Sequence, residues 1–224
     1  MHYPERIAWL EDQLGHELHS LKMSFLDAGK AFIDLSMINP DLAPPRFAID
    51  KLLEASVKLS NHRYSVSRGI KKLRQAFATK YAQRFSVNLD SETQICVTMG
   101  TKDALVNALS VCLEPGSKVL LGEPAYPAFV SACHAAGLNQ VSFPVSNDLN
   151  QMLNSIRENL AQHNIKFLLL NFPNNPTGQI VPKEFYQELF SIIGNRDIIV
   201  FNDFVYGEMG YQGIEPESIL SAAP

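Results

Sequence analysis

The sequence predicts an α/β fold, a mostly parallel sheet with helices on both faces. Three observations carry that reading. Short apolar runs alternate with helix-length amphipathic segments from about residue 94 onward. The runs are apolar throughout, as strands covered on both faces are, and do not alternate apolar with polar. The 224 residues, 46% hydrophobic and 19% charged, supply enough apolar material for a core without disulfide or metal staples.

Taken in order, residues 1–30 read as a polar, amphipathic helical entry, and Phe32–Met37 as an extended stretch. RFAIDKLLEASVKLS (46–60) and GIKKLRQAFATKYA (69–82) place apolar residues at helical spacing. QICVTM (94–99) is the first expected strand, followed by a helix over Lys102–Leu113. Strand Lys118–Leu121 leads to helix Tyr126–Ala136, and strand Val141–Val145 to helix Gln151–Gln162. Strand Lys166–Asn171, helix Lys183–Ile193 and a fifth strand, Asp197–Asn202, complete the series. No internal repeat or low-complexity linker interrupts it, and a boundary is expected near residue 50, where the rhythm is about to start.

Composition narrows the function classes. A net charge of -4 and the lack of a long basic run argue against a nucleic-acid partner. The longest apolar runs, such as Phe167–Leu170, are too short to span a bilayer, and MHYPERIAWL lacks the apolar core of a signal peptide, so a cytoplasmic setting is expected. Cys96, Cys112 and Cys133, odd in number and without CxxC spacing, read as small buried hydrophobes in a reducing compartment. His16 and His19 read as solvated side chains on a surface helix, not as metal ligands. Lys71, Lys72 and Arg74 read as the polar face of an amphipathic helix.

Ligands bind such sheets at the carboxyl ends of the strands, so the junctions carry the functional signal. Gly100-Thr101-Lys102-Asp103 opens a helix after QICVTM, which suits an anion, although a turn with Thr101 as N-cap explains it equally. Pro124 and Pro127 stiffen the loop holding Tyr126, which could stack on a planar ligand or simply close the core at a helix start. Asn174-Asn175-Pro176-Thr177-Gly178 is a turn on any reading, and it aims an amide NH₂ at the crevice. Asp203, with Tyr206 three residues on, ends a strongly apolar strand. Burying that carboxylate calls for a cation or several donors, unless it caps a helix. Together these groups suit a flat, phosphorylated, hydroxylated pyridinium.

In this order the motifs resemble those of class I/II aminotransferases, pyridoxal phosphate enzymes of fold type I. The resemblance runs from about Phe32 to the C-terminus. Asn39-Pro40-Asp41 resembles the substrate-loop motif, and Tyr64-Ser65-Val66-Ser67-Arg68-Gly69-Ile70, with Leu73-Arg74, the segment whose Tyr reaches the neighbouring subunit's cofactor phosphate. The resemblance implies that Gly100, Thr101 and Lys102 bind the cofactor phosphate and that Tyr126 stacks on its ring. It implies that Asn175 and Tyr206 bind the phenolic oxygen and Asp203 the pyridine nitrogen, with cis peptides before Pro124 and Pro176. Within the family the chain looks most like the alanine (glutamate–pyruvate) branch, with diaminopimelate and aspartate aminotransferases as near alternatives. The implied cofactor is pyridoxal 5'-phosphate, the implied substrates an amino acid and a 2-oxo acid, and the implied assembly of a complete chain a homodimer. The implied domains are an N-terminal arm with part of the small domain (1–48) and an incomplete large cofactor-binding domain (49–224).

Two departures stand out. Ile38 occupies a substrate-loop position where the family usually has Gly, which would narrow the pocket that Ile38 and Asn175 line. The family's Schiff-base lysine follows the DxxY strand, whereas the last lysine here is Lys183, and the later substrate-binding Arg is missing too. The expectation is an incomplete site, inactive alone, with QICVTM lacking its usual neighbours and two sheet edges unpaired. Alternatives are a non-catalytic cofactor-binding or interaction fragment, half of a split enzyme, or a lyase or decarboxylase of the same fold.

Overall fold

The computed structural model describes residues 13–35, 40 and 42–223, which fall into two compact units divided between Ser65 and Val66. In the first unit, α1 (Gln13–Asp27) and α2 (Arg46–Ser56) precede a 3-10 turn at Leu59–Asn61. Charge pairs stiffen α2: Arg46–Asp50 at 2.8 Å, Lys51–Glu54 at 2.6 Å and Lys58–Glu54 at 2.7 Å. Hydrogen bonds from the two lysines hold the Glu54 carboxyl down at about 2. No residue of α2 is buried, and Phe47, Leu52 and Leu53 are exposed. The expected helix 46–60 stops at Ser56, where residues 57–61 tighten instead.

The second unit holds α3 (Lys71–Phe85), α4 (Thr101–Cys112), β1 (Lys118–Glu123), α5 (Pro127–Ala135), β2 (Asn139–Pro144), α6 (Leu149–Gln162), β3 (Ile165–Asn171), α7 (Lys183–Ile193) and β4 (Ile199–Asp203). The four strands form one sheet, ordered β2-β1-β3-β4 and parallel throughout. Consecutive residues of a strand face opposite ways, and each way is apolar. Leu120, Leu168 and Leu170 pack with Met152 and Ile156 of α6 and Phe185 and Leu189 of α7. Val119, Leu121, Phe167 and Leu169 pack with Leu105 and Leu109 of α4 and Phe129 and Cys133 of α5. This two-sided burial is why β1 and β3 read as continuous apolar runs. The Asp148 carboxylate accepts from Gln151 N at 2.9 Å and starts α6 two residues earlier than its periodicity suggests.

The expected strand at QICVTM is not one. Residues 95–98 join no ladder, and their tie to the preceding chain is Val97 N donating to Arg68 O at 3.1 Å. An apolar run becomes a strand only where a neighbour supplies the hydrogen bonds, and among the described residues the sheet ends at β4.

Two further expectations fail. Arg74 is not on the polar face of its helix: it is 4% exposed. Its guanidinium donates to Ser91 O (2.8 Å), Gly69 O (2.7 Å) and the Glu92 carboxylate (2.8 Å), a set of acceptors its planar fork can span. Of the cysteines only Cys133 is buried, its thiol pushed up to about 11 by desolvation, whereas Cys96 and Cys112 are exposed. His19 is exposed as expected, and the His16 side chain lies outside the described residues. No helix among the described residues is long and apolar enough to cross a membrane.

Candidate functional site

The carboxyl ends of β1, β3 and β4 gather the residues singled out by the sequence. β4 ends on Asp203, 6% exposed, whose register partner across the ladder is Asn171, the last residue of β3. Asn171 Nδ2 donates to Asp203 O at 3.0 Å, and Asn171 Oδ1 accepts from Asn175 N at 2.7 Å. One buried amide thus fixes both strand ends. The turn after β3 is held by Asn174, whose Oδ1 accepts from Thr177 N (3.1 Å) and Thr177 Oγ1 (2.8 Å). That leaves the Asn175 side chain free to reach the loop after β4, where Nδ2 donates to Tyr206 Oη at 3.2 Å.

Asp203 does not cap a helix, because a turn follows β4. Its Oδ1 accepts from Val205 N at 3.1 Å, its one donor among the described residues. Burial pushes the carboxyl above its ordinary value, and the Val205 hydrogen bond offsets only part of that. A buried carboxylate with one neutral donor has accepting capacity to spare, and a protonated ring nitrogen would use it.

The rim continues at β1. Tyr126 directly precedes α5, packs edge-on against Phe129 at 5.5 Å and sits 5.6 Å below the Lys102 ammonium. It therefore closes the core, as one reading of the sequence has it, and also ties the β1 loop to the first turn of α4. The N-cap of α4 is Gly100, not Thr101, at φ +87 and with no side-chain cap hydrogen bond. Open space surrounds the position a Cβ would take there, and the first amides of a helix such as α4 are the ones left without intrahelical partners. The peptides before Pro124 and Pro176 are cis as expected, and so is the one before Pro173.

A cavity of about 10 Å³ lies beneath the rim between Gly122, Ala125, Phe143, Asn171 and Asn174. It has room for one water at most and none for a ring-sized ligand. The donor set of the rim (carboxylate, paired amide and phenol, helix amides, ammonium) fits a phosphorylated hydroxypyridine group by group. Tyr64 is fully exposed in the first unit, and Ile38 lies outside the described residues, as do Asn39 and Asp41. Sequence reasoning missed Asn171 and Asn174, although an Asn ending the apolar run KFLLLN was a usable signal.

Comparison with known proteins agrees with this architecture. Residues 30–223 match the family model described as aminotransferase class I and II. The glutamate-pyruvate aminotransferase of Escherichia coli is 34% identical over 203 residues, covering 89% of this chain and 49% of that protein. An LL-diaminopimelate aminotransferase of Dehalococcoides mccartyi is 32% identical over 196 residues, 87% of this chain and 50% of its own length. The solved aspartate aminotransferase of Thermotoga maritima superposes with a TM-score of 0.85 at 27% identity, over 99% of this chain and 58% of that one. The chain spans about half the length of the curated relatives it matches.

Proposed function

The chain belongs to the aminotransferase class I and II family, and from that premise we propose that its rim binds pyridoxal 5'-phosphate for transamination between an amino acid and a 2-oxo acid. The observation that carries this reading is the buried, under-donated Asp203 beside the Asn175–Tyr206 pair. When bound, the cofactor supplies an aromatic ring that can take up the electron pair released at an amino acid's Cα. Asp203 would hold the proton at the ring nitrogen, the ionised carboxylate being favoured once that cation replaces lost water. Asn175 Nδ2 and Tyr206 Oη would both donate to the ring oxygen. Tyr126 would cover one ring face, and Gly100, Thr101 and Lys102 would fix the phosphate through helix amides, a hydroxyl and an ammonium.

The finer readings belong to the same proposal. The alanine/glutamate substrate type rests on the motif resemblance and is supported by the glutamate-pyruvate relative, though relatives of diaminopimelate type are close behind. Ile38 and Asn175 would border the substrate, and Tyr64 would serve the phosphate of a partner protomer in a homodimer in the cytoplasm. The domain division proposed is 1–48 and 49–224. A second reading is cofactor binding without covalent capture: Asp203, Asn175, Tyr206 and Lys102 would each hold the cofactor without bonding to it covalently.

Pyridoxamine 5'-phosphate needs no lysine to bind, so calorimetric titration of the full chain with it tests the cofactor site directly. Saturable binding is expected, weakened by about ten- to a hundredfold in Asp203→Ala, the worth of a charge-assisted hydrogen bond. No binding, or binding indifferent to Asp203, would remove the cofactor reading. Alanine turnover with 2-oxoglutarate then separates the two readings: turnover supports transamination, and binding without it supports cofactor holding by these residues without the catalytic step.

A further inference from the structure

The loop that carries Tyr206 is held from behind by the end of α3. Arg84 donates through Nη2 to Gly207 O at 2.7 Å, and its Nη1 pairs with Glu208. Lys80 Nζ reaches the other Glu208 oxygen at 2.6 Å. On the near side of Tyr206, the Phe204 ring packs edge-on against Phe85 at 5.8 Å, and the Arg84 guanidinium lies 4.9 Å from the Phe85 ring centroid. Gly207 is buried because the Phe204 ring lies where a side chain would be: a Cβ there would come within 2.4 Å of Phe204 Cε1.

Residues 204, 207 and 208 are thus all fastened to Lys80, Arg84 and Phe85, with Tyr206 between them. The turn is closed by Gly207 N donating to Phe204 O and Met209 N to Tyr206 O, both at 2.9 Å. Among the described residues, Tyr206's own side chain has a single hydrogen-bond partner, Asn175, on the opposite side. The phenol is therefore set between an amide in front and an arginine clamp behind. Of the clamp's side chains Arg84 is the most fitted, since its guanidinium is mostly covered while Glu208 and Lys80 are largely in solvent.

We infer that Arg84 is a positioning residue for the cofactor site: by holding Gly207 and Glu208 to α3 it fixes the Tyr206 hydroxyl where it and Asn175 can donate to one ligand oxygen. The inference rests on the cofactor reading above. Arg84 acts only through Tyr206 and touches no ligand itself, which separates this role from general stabilisation. Removing the clamp must matter when Tyr206 has its hydroxyl, and must stop mattering when it does not.

The test is a double-mutant cycle on the full chain, titrated with pyridoxamine 5'-phosphate. Arg84→Met is expected to weaken binding about tenfold, and less than about twofold in a Tyr206→Phe background. Arg84→Lys, which keeps the charge but not the fork, is expected to recover part of the loss. The ultraviolet band of the bound ligand, which reports ionisation of its ring hydroxyl, should shift with Arg84→Met only when Tyr206 is present. Should Arg84→Met lose its cooperative unfolding transition, Glu208→Gln removes only the exposed end of the clamp. It carries the same comparison, with an expected loss of about two- to threefold. Equal losses in both backgrounds, or none in either, overturn the inference. A wild-type chain that binds but ignores Arg84 overturns it alone, whereas a wild-type chain that does not bind takes the cofactor reading with it.

Discussion

At the scale of single residues, Asp203 sets folding against the cofactor role proposed for it. Burial raises its folded pKa above the unfolded value, so between those two values the folded chain holds a proton that the unfolded chain has released. Stability from this group is therefore lost as pH rises through that window, and above it the ligand-free fold carries a buried charge. Asp203→Asn keeps an acceptor for Val205 N and removes the charge. The variant is expected to melt higher than wild type at pH 7. The two should converge below about pH 4, the ordinary carboxylate range. Thermal unfolding at both pH values checks it, and a variant less stable at pH 7 would refute it. The same scale shows what the sequence could disclose. Asp203, Asn175 and Tyr126 were legible because each follows an apolar strand, where a polar or flat group has few structural excuses. Arg84 and Arg74 were not legible. Both look like ordinary charges on helices, and what distinguishes them is acceptors distant in sequence, at Gly207 and at Ser91 and Glu92.

Elements were legible where their signal is local and obscure where it depends on a neighbour. The helices α4 to α7 and the strands β1 to β4 fall within a few residues of expectation, because amphipathic spacing and two-sided apolar runs are properties of the segment itself. QICVTM has the same local signal and still forms no strand, because ladder hydrogen bonds come from outside the segment. What orders this stretch instead is its seat on Gly69. That glycine has φ +80, and a Cβ on it would lie 2.4 Å from Val97 Cβ. Gly69→Ala should therefore both strain the backbone and push residues 95–98 off the 66–69 turn, breaking Val97 N to Arg68 O. A loss of about 1–3 kcal/mol is expected, larger than the entropy an alanine would return. Urea unfolding gives the magnitude, and amide exchange gives the place: Val97 should exchange faster while amides of β3 do not change. Uniform acceleration would mean that the segment is not seated on Gly69 in particular.

For the whole molecule, the sheet that positions the site also divides its core. One cluster joins Leu120, Leu168 and Leu170 to α6 and α7, the other joins Val119, Leu121 and Phe167 to α4 and α5. The strand backbones between them are shared, but the side chains are not. The site draws on both sides: Tyr126 and Gly100 belong to elements packed on the second cluster, while the turn after β3, carrying Asn175, leads through Val181 into the first. Packing changes on one side should then pass to the other only through the sheet, which is hydrogen-bonded and stiff. Ile156→Val in α6 and Val119→Ala in β1 are each expected to cost about 1–2 kcal/mol. Together they should be additive within about 0.5 kcal/mol, because they share no side-chain partner. Ile156→Val with Leu189→Val, both in the first cluster, should depart from additivity by more than that, since one vacancy lets the other side relax. Urea midpoints of the single and double variants measure both cycles. Strong coupling across the sheet would mean that the two halves of the site are mechanically one body, and that a change under α6 could reach the first turn of α4.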